Sequence, residues 1–469
     1  MKYATAQHRR AEGKAGSYVW ATRSAAIVHL DQSALAVLDD FNAGRDAEEW
    51  MCAAADRRQS FDALAALGLL EPVDFALPLT PDLPAMPFPL GTLVLNVTNK
   101  CNLSCTYCYE YGEDRIAPTS TGPALMSADT ARAAVDMLFT NSAGRRSLSL
   151  TFFGGETLLN FAVIREAVAH AETRARAERR RISFALTTNA TLLTEEVITF
   201  LTQHHFGVNI SIDGPKQTHD AQRTFASGKG SHDLIVPKIR ALIAANRAAQ
   251  GRPIGARVTV TAHSQDVRAI YTHLVEEIGF DAVGYAPVTS APGRDYALSG
   301  ENYYTLLSGF AELAEDFVAA ASEGRTHAFS NLNDLLRELH HGVNKAHPCG
   351  AGLGLLGVST AGEIGLCHRF VESGKHEVGS LTRGIDEERR RAFLEAGHIS
   401  TKVACHTCFA RPLCSGGCYH EAHVRYADAS QPNLHSCEWI RAWMDLGLKS
   451  YARIMDANPS YFSRYEEVA

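Results

Sequence analysis

The chain has 469 residues, of which 46% are hydrophobic and 21% are charged, and its formal net charge is −7 at pH 7. This length exceeds one ordinary core, so we expect two or three domains, and the composition excludes a largely disordered chain. A pI near 6.3 argues against a general binder of nucleic acid. No run of about 18 apolar residues could span a membrane, and the start lacks the apolar core of a signal peptide, so we expect a cytoplasmic protein.

Residues 1–80 have a pattern of their own. GSYVWATRSAAIVHLDQSALAVLDDF (16–41) predicts a β-hairpin followed by a helix, and FDALAALGLLEPVD (61–74) predicts a second helix with a short exit. The pattern resembles the winged-helix domain with which many peptide-modifying enzymes hold a substrate, and a plain structural cap is the alternative. A proline-rich linker (78–91) follows.

Between residues 90 and 288, apolar β-branched segments alternate with amphipathic helical segments. This alternation predicts an α/β fold with a parallel sheet. Six strands are too few for an eight-stranded barrel, so we predict a partial (β/α)6 TIM-like barrel whose site lies at the carboxyl ends of the strands. The predicted strands are 90–98, 148–155, 182–189, 208–214, 256–262 and 282–288, and the predicted helices are 127–139, 161–176, 195–205, 233–246 and 266–278.

Ten of the eleven cysteines fall in two groups. CNLSCTYC (101–108) holds three directly after the first predicted strand, an odd number for disulfides and one short of a structural zinc site. Seven more lie between residues 349 and 437, four of them in CHTCFARPLCSGGC (405–418). In a cytoplasmic protein this usage indicates metal or redox chemistry. The remaining cysteine, Cys52, we interpret as a buried apolar side chain.

The C-x3-C-x-aromatic-C pattern, with Tyr107 at the aromatic position, resembles the signature of the radical S-adenosylmethionine (SAM) superfamily. The resemblance implies that Cys101, Cys105 and Cys108 hold a 4Fe–4S cluster whose fourth position takes SAM. One electron then cleaves SAM to a 5′-deoxyadenosyl radical. The resemblance further implies that SAM is contacted by Tyr107, Gly154, Gly155, Glu156, Asn189, Ser211 and Arg223. The alternative is that such residues only stabilise turns at the strand ends.

The seven later cysteines resemble the SPASM extension of radical SAM enzymes that modify peptides and proteins. By that resemblance, one closed auxiliary 4Fe–4S cluster is held by Cys405, Cys408, Cys414 and Cys437, and a second has only the ligands Cys349, Cys367 and Cys418. A substrate thiolate, a protein group or water could complete the second cluster. We therefore expect three clusters, with a structural zinc knuckle in a non-enzymatic interaction protein as the alternative.

Longer segments, among them GYAPVTSAPGRDYA (284–297) and RPLCSGGCYHEAHVRY (411–426), resemble the maturases of quinohemoprotein amine dehydrogenase. This implies thioether bonds between cysteine sulfur and methylene carbons of Asp or Glu in the small γ subunit, with reduced flavodoxin or ferredoxin as electron donor. Sulfatase-maturating relatives have an aspartate where this chain has His368. That difference disfavours hydroxyl oxidation, or places its base elsewhere.

Other peptide chemistry of the same class, such as C–C crosslinking or epimerisation, is the alternative activity. Thioether formation needs a proton acceptor, and the candidate bases are Asp213 and Asp233, both of which could instead be caps of a turn or a helix. The predicted domains are 1–80 (peptide recognition), 90–300 (barrel), 301–345 (helical linker), 346–440 (SPASM) and 441–469 (C-terminal helix).

Overall fold

The computed structural model describes residues 3–44, 55–74, 81–117 and 122–466. Cys52 and the first residues of the predicted proline-rich linker lie outside these ranges. The N-terminal region contains a three-stranded antiparallel sheet, two helices and a small two-stranded sheet. Its elements are β1 (Tyr3–Thr5), β2 (His8–Glu12), β3 (Ser17–Ala21), β4 (Ala26–Leu30), α1 (Gln32–Asn42), α2 (Ala55–Ala66) and β5 (Leu70–Pro72).

The predicted hairpin and its two following helices are confirmed as β3, β4, α1 and α2. Strand β2, which pairs with β3, was not predicted. Alternation along β3 places Val19 in the small core of this region, whereas the Trp20 indole Nε1 donates to the carbonyl of Phe409, 3.1 Å away. The N-terminal sheet therefore docks on the cysteine-rich part of the chain.

The six predicted strands and five predicted helices of the barrel are confirmed, with small differences at their ends. Each strand pairs in parallel with its neighbour in the order β11-β10-β9-β8-β7-β6. The strands are β6 (Thr92–Thr98), β7 (Ser147–Gly154), β8 (Arg181–Thr188), β9 (Gly207–Ser211), β10 (Gly255–Val260) and β11 (Ala282–Pro287). The helices are α3 (Ala128–Thr140), α4 (Phe161–Ala177), α5 (Glu195–Gln203), α6 (Lys216–Gln222), α7 (His232–Ala248) and α8 (Val267–Thr272), which continues as a π-helical turn (His273–Ile278).

The period of two along β7 separates the faces of this sheet. Leu150 and Phe152 are fully buried in the main core, whereas Thr151 and Phe153 on the opposite face are only partly buried. The concave face of the partial barrel is therefore accessible, and the loops at the carboxyl ends of the strands surround its mouth.

The sheet does not end at β6. Strand β12 pairs in parallel with β6, with Leu355 opposite Thr92, and three antiparallel strands extend the sheet to ten. This continuity was not predicted, and it makes the cysteine-rich region an extension of the barrel. The added strands are β12 (Leu355–Val358), β13 (Glu363–Gly365), β14 (Glu377–Ser380) and β15 (Gly384–Ile385).

Long helices cover the end of the barrel. Phe310 of the first packs edge-on against Trp439 of the last, with ring centroids 5.4 Å apart. The last long helix begins at Cys437, earlier than the predicted boundary at 441. The α-helices described after β11 are α9 (Gly300–Ser322), α10 (Ser330–His340), α11 (Glu387–Gly397), α12 (Arg411–Cys414), α13 (Tyr419–Tyr426), α14 (Cys437–Ala457) and α15 (Ser463–Glu466). Across the described ranges, none of the helices is long and apolar enough to cross a membrane.

Candidate functional site

The first cysteine group lies on the loop that follows β6 at the carboxyl edge of the sheet. This loop is pressed against the turn after β7. A Cβ added at Gly155 would lie 2.2 Å from the carbonyl oxygen of Lys100, and one at Gly154, where φ is +132°, would lie 2.4 Å from that of Thr98. Only glycine permits this approach, so the two glycines fix the cysteine loop beside the second strand end.

The three thiols of this group lie close enough to influence one another. Burial raises the pKa of Cys101 to about 12, and the neighbouring Cys105 and Cys108 raise it as well. Burial also raises the pKa of Cys108 to about 11. Enclosed thiols of this kind become thiolates only when a cation or a metal stabilises the charge.

Glu156 and Asn189 follow neighbouring strand ends and are tied to each other. The Glu156 carboxylate accepts from the Asn189 backbone N–H at 2.8 Å and from the Thr188 hydroxyl at 2.6 Å. The Asn189 side-chain amide reaches the Cys101 Sγ at 3.9 Å. Ser211 is the last residue of β9 and is partly buried. The predicted SAM-contact residues therefore meet at one mouth of the barrel, although their contacts with SAM stay predictions.

Arg223 lies under the cysteine loop. Its guanidinium forms a two-point ion pair with Asp213, with N···O distances of 2.9 and 3.2 Å, and its third nitrogen lies 4.0 Å from the Cys105 Sγ. The Tyr107 hydroxyl also donates to Asp213, and the Tyr107 ring lies 5.3 Å from the guanidinium carbon. In this arrangement Arg223 and Tyr107 position the cysteine loop.

Neither candidate base is a free carboxylate in the structure, and their role as bases stays a prediction. Asp213 is fully buried and accepts from Arg223, from Tyr107 and from the Thr259 backbone N–H, so its oxygens are already occupied. Asp233 lies in the first turn of α7, with its side chain 75% exposed and paired with Lys216. The Lys216 ammonium lowers the pKa of Asp233, which makes it a poor proton acceptor. The first is a buried structural ion pair, and the second is a surface carboxylate.

The second three-cysteine group is assembled from distant segments: Cys349 before β12, Cys367 after β13 and Cys418 at the start of α13. Burial raises the pKa of Cys367 to about 12, and Cys418 and Cys349 raise it as well, so the three thiols are neighbours. A Cβ at Gly357 of β12 would lie 2.6 Å from the Cys367 backbone, so this glycine lets the Cys367 segment cross the sheet.

The four-cysteine group lines a small cavity of about 20 Å³ at the start of α14. Burial raises the pKa of Cys405 to about 11, with further increases from Cys414, Cys437 and Cys408. Arg441, one turn along α14, makes a side-chain hydrogen bond with Cys408. The structure thus separates the seven later cysteines into the same sets of four and three that the SPASM resemblance implies.

The donor sets fit iron–sulfur clusters. All ten cysteines in the described residues are free thiols, and guanidinium groups approach the sulfur atoms of Cys105 and Cys408. Within the described ranges, no three His, Cys, Asp or Glu side chains converge as ligands of a single metal ion would. A 4Fe–4S cluster places its thiolates on separate irons, so its ligands need not meet at one point. Ligand sets made of cysteines, with guanidinium groups beside two of the sulfur atoms, suit iron–sulfur clusters.

A cavity of about 240 Å³ is lined by residues that lie next in sequence to members of the two three-cysteine groups. One wall comes directly after Cys108 and the other directly after Cys367. The Arg369 guanidinium lies 4.1 Å from the centre of the Tyr109 ring and joins these walls. Charged and polar residues of the lining are Asn96, Asn99, Lys100, Tyr109, Glu110, Tyr111, Arg115, His368, Arg369 and Glu372.

Glu110 and Glu372 were not among the predicted site residues. Enclosure raises the pKa of Glu110 to about 7, although Arg369 opposes the rise. Glu372 accepts from the Asn99 amide at 2.9 Å and has a φ of +60°, a conformation that is costly outside glycine. Glu110 could have been noticed from its place two residues after Cys108, whereas no local pattern identifies Glu372.

A family model described as the radical SAM superfamily matches residues 95–251. This stretch is similar to that superfamily. The chain is 24% identical over 370 residues to the cysteine-type anaerobic sulfatase-maturating enzyme of Clostridium novyi (strain NT), covering 76% of this chain and 94% of the relative. It is 26% identical over 371 residues to the serine-type anaerobic sulfatase-maturating enzyme of Bacteroides thetaiotaomicron, covering 74% of this chain and 86% of the relative. The chain is therefore homologous to anaerobic sulfatase-maturating enzymes.

Solved structures agree on the fold. Native anSMEcpe with bound AdoMet has a TM-score of 0.61 at 20% identity and covers 81% of this chain and all of its own. Streptococcus suis SuiB bound to precursor peptide SuiA has a TM-score of 0.53 at 14% identity and covers 93% of this chain and 100% of its own. The predicted fold class, a radical SAM partial barrel, is confirmed. The comparisons support a radical SAM maturase that acts on peptides or proteins.

Proposed function

We propose that this protein forms thioether crosslinks between cysteine sulfur and methylene carbons of Asp or Glu in the small γ subunit of quinohemoprotein amine dehydrogenase. The proposal makes Cys101, Cys105 and Cys108 the ligands of the SAM-binding cluster. The sets of four and three later cysteines would hold two auxiliary clusters. The domain boundaries, the flavodoxin or ferredoxin donor and a cytoplasmic location stay predictions.

The single observation that carries the proposal is the cavity whose lining comes from the segments that directly follow Cys108 and Cys367. A thioether requires a carbon near the site of radical formation and a thiol held close to that carbon. The wall formed by Tyr109–Tyr111 adjoins the first group, and the wall formed by His368 and Arg369 adjoins the second. A peptide segment in this cavity would contact residues adjacent in sequence to both groups.

The chemistry balances with the groups proposed. When bound, the SAM-binding cluster supplies the electron that generates the 5′-deoxyadenosyl radical, and an auxiliary cluster with an open iron can hold a thiolate and accept an electron. The radical takes one hydrogen atom from the substrate methylene. Joining that carbon to the thiol sulfur then releases one proton and one electron.

The chain's own residues contribute position and enclosure. Arg223, held by Asp213, places a cation beside Cys105, and Asn189 directs its amide at Cys101. The cavity's Lys100 and Arg369 supply cations that suit a substrate carboxylate next to the methylene. These interactions orient the carbon and sulfur that react.

The N-terminal region is proposed to hold the substrate. It docks on the C-terminal helix as well as on the cysteine-rich loop, since the Tyr18 hydroxyl donates to Asp456 at 3.0 Å. A calorimetric titration compares γ-subunit binding by the whole chain and by a variant without residues 1–80. We expect weaker binding with SAM cleavage retained, and unchanged binding would make this region a structural cap.

Mass spectrometry of the γ subunit after reaction with the iron-loaded protein tests the function. Each thioether removes two hydrogen atoms from the substrate, and the cysteine then resists iodoacetamide after reduction. A product of the same mass whose cysteine still reacts would indicate C–C crosslinking. An unchanged mass with inverted residues would indicate epimerisation.

Sulfatase maturation is the second candidate, because the two sulfatase-maturating relatives reported above align over about three-quarters of this chain. Against it stands His368, at the position where sulfatase-maturating relatives carry aspartate. Burial lowers the pKa of His368 to about 3, so its imidazole is a weak proton acceptor. A sulfatase-derived peptide with a target cysteine or serine separates the candidates, and its conversion would favour sulfatase maturation.

A further inference from the structure

Lys402 is a buried cation between the two auxiliary cysteine groups. It lies three residues before Cys405 and is 3% exposed. Its Nζ donates to the carbonyl of Ser415 at 2.9 Å, next to Cys414. A Cβ at Gly416, where φ is +88°, would lie 2.6 Å from Nζ, so this glycine makes room for the ammonium group.

The Lys402 ammonium group acts electrostatically on cysteines of both auxiliary groups. Burial raises the pKa of Cys405 and of Cys414 in the four-cysteine group, and Lys402 opposes both increases. Lys402 also opposes the increase at Cys349, which belongs to the three-cysteine group. Ser415 and Gly416, against which Nζ lies, stand between Cys414 of the four-cysteine group and Cys418 of the three-cysteine group, so Lys402 lies against the segment that joins the two sets of ligands.

Burial lowers the pKa of Lys402, and no carboxylate in the described part of the chain forms an ion pair with it; the groups that oppose this lowering are Cys405, Cys414 and Cys349. Lys345, which also faces Cys349, differs because its Nζ lies 2.6 Å from the Glu338 carboxylate. A buried ammonium without a counter-ion is costly. The arrangement of Lys402 is explained if the thiolates carry negative charge in the working protein.

We propose that Lys402 is the shared counter-ion of the two auxiliary cysteine groups and raises the reduction potential of the clusters they hold. The inference rests on the proposed function, in which those cysteines bind iron and sulfide. A cluster gains one negative charge when it accepts an electron, and a nearby buried cation stabilises that reduced state. Lys402 thereby favours transfer to an auxiliary cluster of the electron released when the C–S bond forms.

The experiment is a potentiometric titration, followed by electron paramagnetic resonance, of the full-length iron-loaded chain carrying C101A/C105A/C108A, so that only auxiliary signals remain. Adding Lys402→Met should shift the auxiliary midpoint potentials to lower values. Lys402→Arg, which keeps the charge, should restore them towards the parent values. Lys345→Met is the matched control, and we expect a smaller shift because Glu338 already balances that lysine.

Unchanged potentials in Lys402→Met, or an equal shift in Lys345→Met, would overturn the proposal. If Lys402→Met fails to retain iron, the same titration is carried out on Gly416→Ala. The added Cβ of that variant would displace the Nζ of Lys402. Lower potentials there support the proposal, and unchanged potentials reject it. Failure of the proposed function is distinguishable, because the potentials would still shift while the otherwise intact protein forms no thioether.

Discussion

The two three-cysteine groups have the same number of thiols but are built in different ways. Cys101, Cys105 and Cys108 lie within eight residues on one loop after a barrel strand. Cys349, Cys367 and Cys418 come from three segments that only the extended sheet brings together. The first group depends on local spacing and close glycine contacts, and the second depends on long-range strand pairing.

This difference separates two tasks in the proposed reaction. The first group is enclosed, and its neighbours Arg223, Asn189 and Glu156 form a fixed hydrogen-bonded frame. Two members of the second group, Cys349 and Cys418, are exposed. A fixed site suits a cofactor that is cleaved in every turnover, and a more open site suits a thiol that arrives with a protein substrate.

The largest effect should follow loss of the first group. Replacing Cys101, Cys105 and Cys108 with alanine together should abolish 5′-deoxyadenosine formation, because no thiolate remains to hold the SAM-binding cluster. Iron held by the seven later cysteines should remain. Chromatography of the nucleoside product and iron analysis measure the two outcomes, and continued SAM cleavage would refute the assignment.

Loss of the second group should have a different consequence. Replacing Cys349, Cys367 and Cys418 with alanine should leave SAM cleavage but eliminate thioether formation, since the substrate thiol loses its site. The ratio of crosslinked γ subunit to 5′-deoxyadenosine is the measured quantity. Crosslinking at the parent ratio would show that this group is dispensable.

Replacing Asp213 and Asp233 separately tests the hydrogen-bonded frame around the first group, because the first aspartate belongs to that frame and the second lies at the surface. Asp213→Asn leaves the buried Arg223 without its counter-charge and should lower the free energy of unfolding by about 3–5 kcal/mol. Asp233→Asn, at an exposed position, should leave the free energy of unfolding close to that of the parent and leave crosslinking intact. Urea unfolding measures both. Loss of crosslinking in folded Asp233→Asn would restore it as the base.

The close contact behind the first group predicts a smaller effect. Gly155→Ala would force a Cβ against the Lys100 carbonyl and should cost about 1–3 kcal/mol, with slower SAM cleavage. Gly300→Ala, with nothing within 4 Å of the added Cβ, is the control and should be close to neutral. Thermal unfolding compares them, and equal stability would contradict the close packing.

The sequence predicted the barrel well because its signals are local. Strand β7 alternates buried and accessible residues, and its ending at Gly154 is marked by the turn glycines. The extension of the sheet to ten strands was missed because β12 has only four residues, one of them Gly357, and its partner β6 lies far away in the chain. Short strands acquire their identity from pairing rather than from propensity.

The site was predicted in part for the same reason. The cysteine groups and strand-end residues follow motifs, whereas the status of Asp213 depends on partners as distant as Thr259. Lys402 and Glu372 likewise acquire meaning only through contacts across the fold. Which carboxylate is an ion pair and which is open cannot be derived from spacing alone.

The central claim is that the second three-cysteine group leaves a position for the substrate thiol, as the first leaves one for SAM. The direct measurement is the electron paramagnetic resonance spectrum of the auxiliary clusters in the C101A/C105A/C108A variant, with and without γ subunit. Native γ subunit should change the spectrum, and γ subunit with its crosslinking cysteines replaced by serine should not. An identical spectrum in all three samples would show that the group is closed and would contradict the claim.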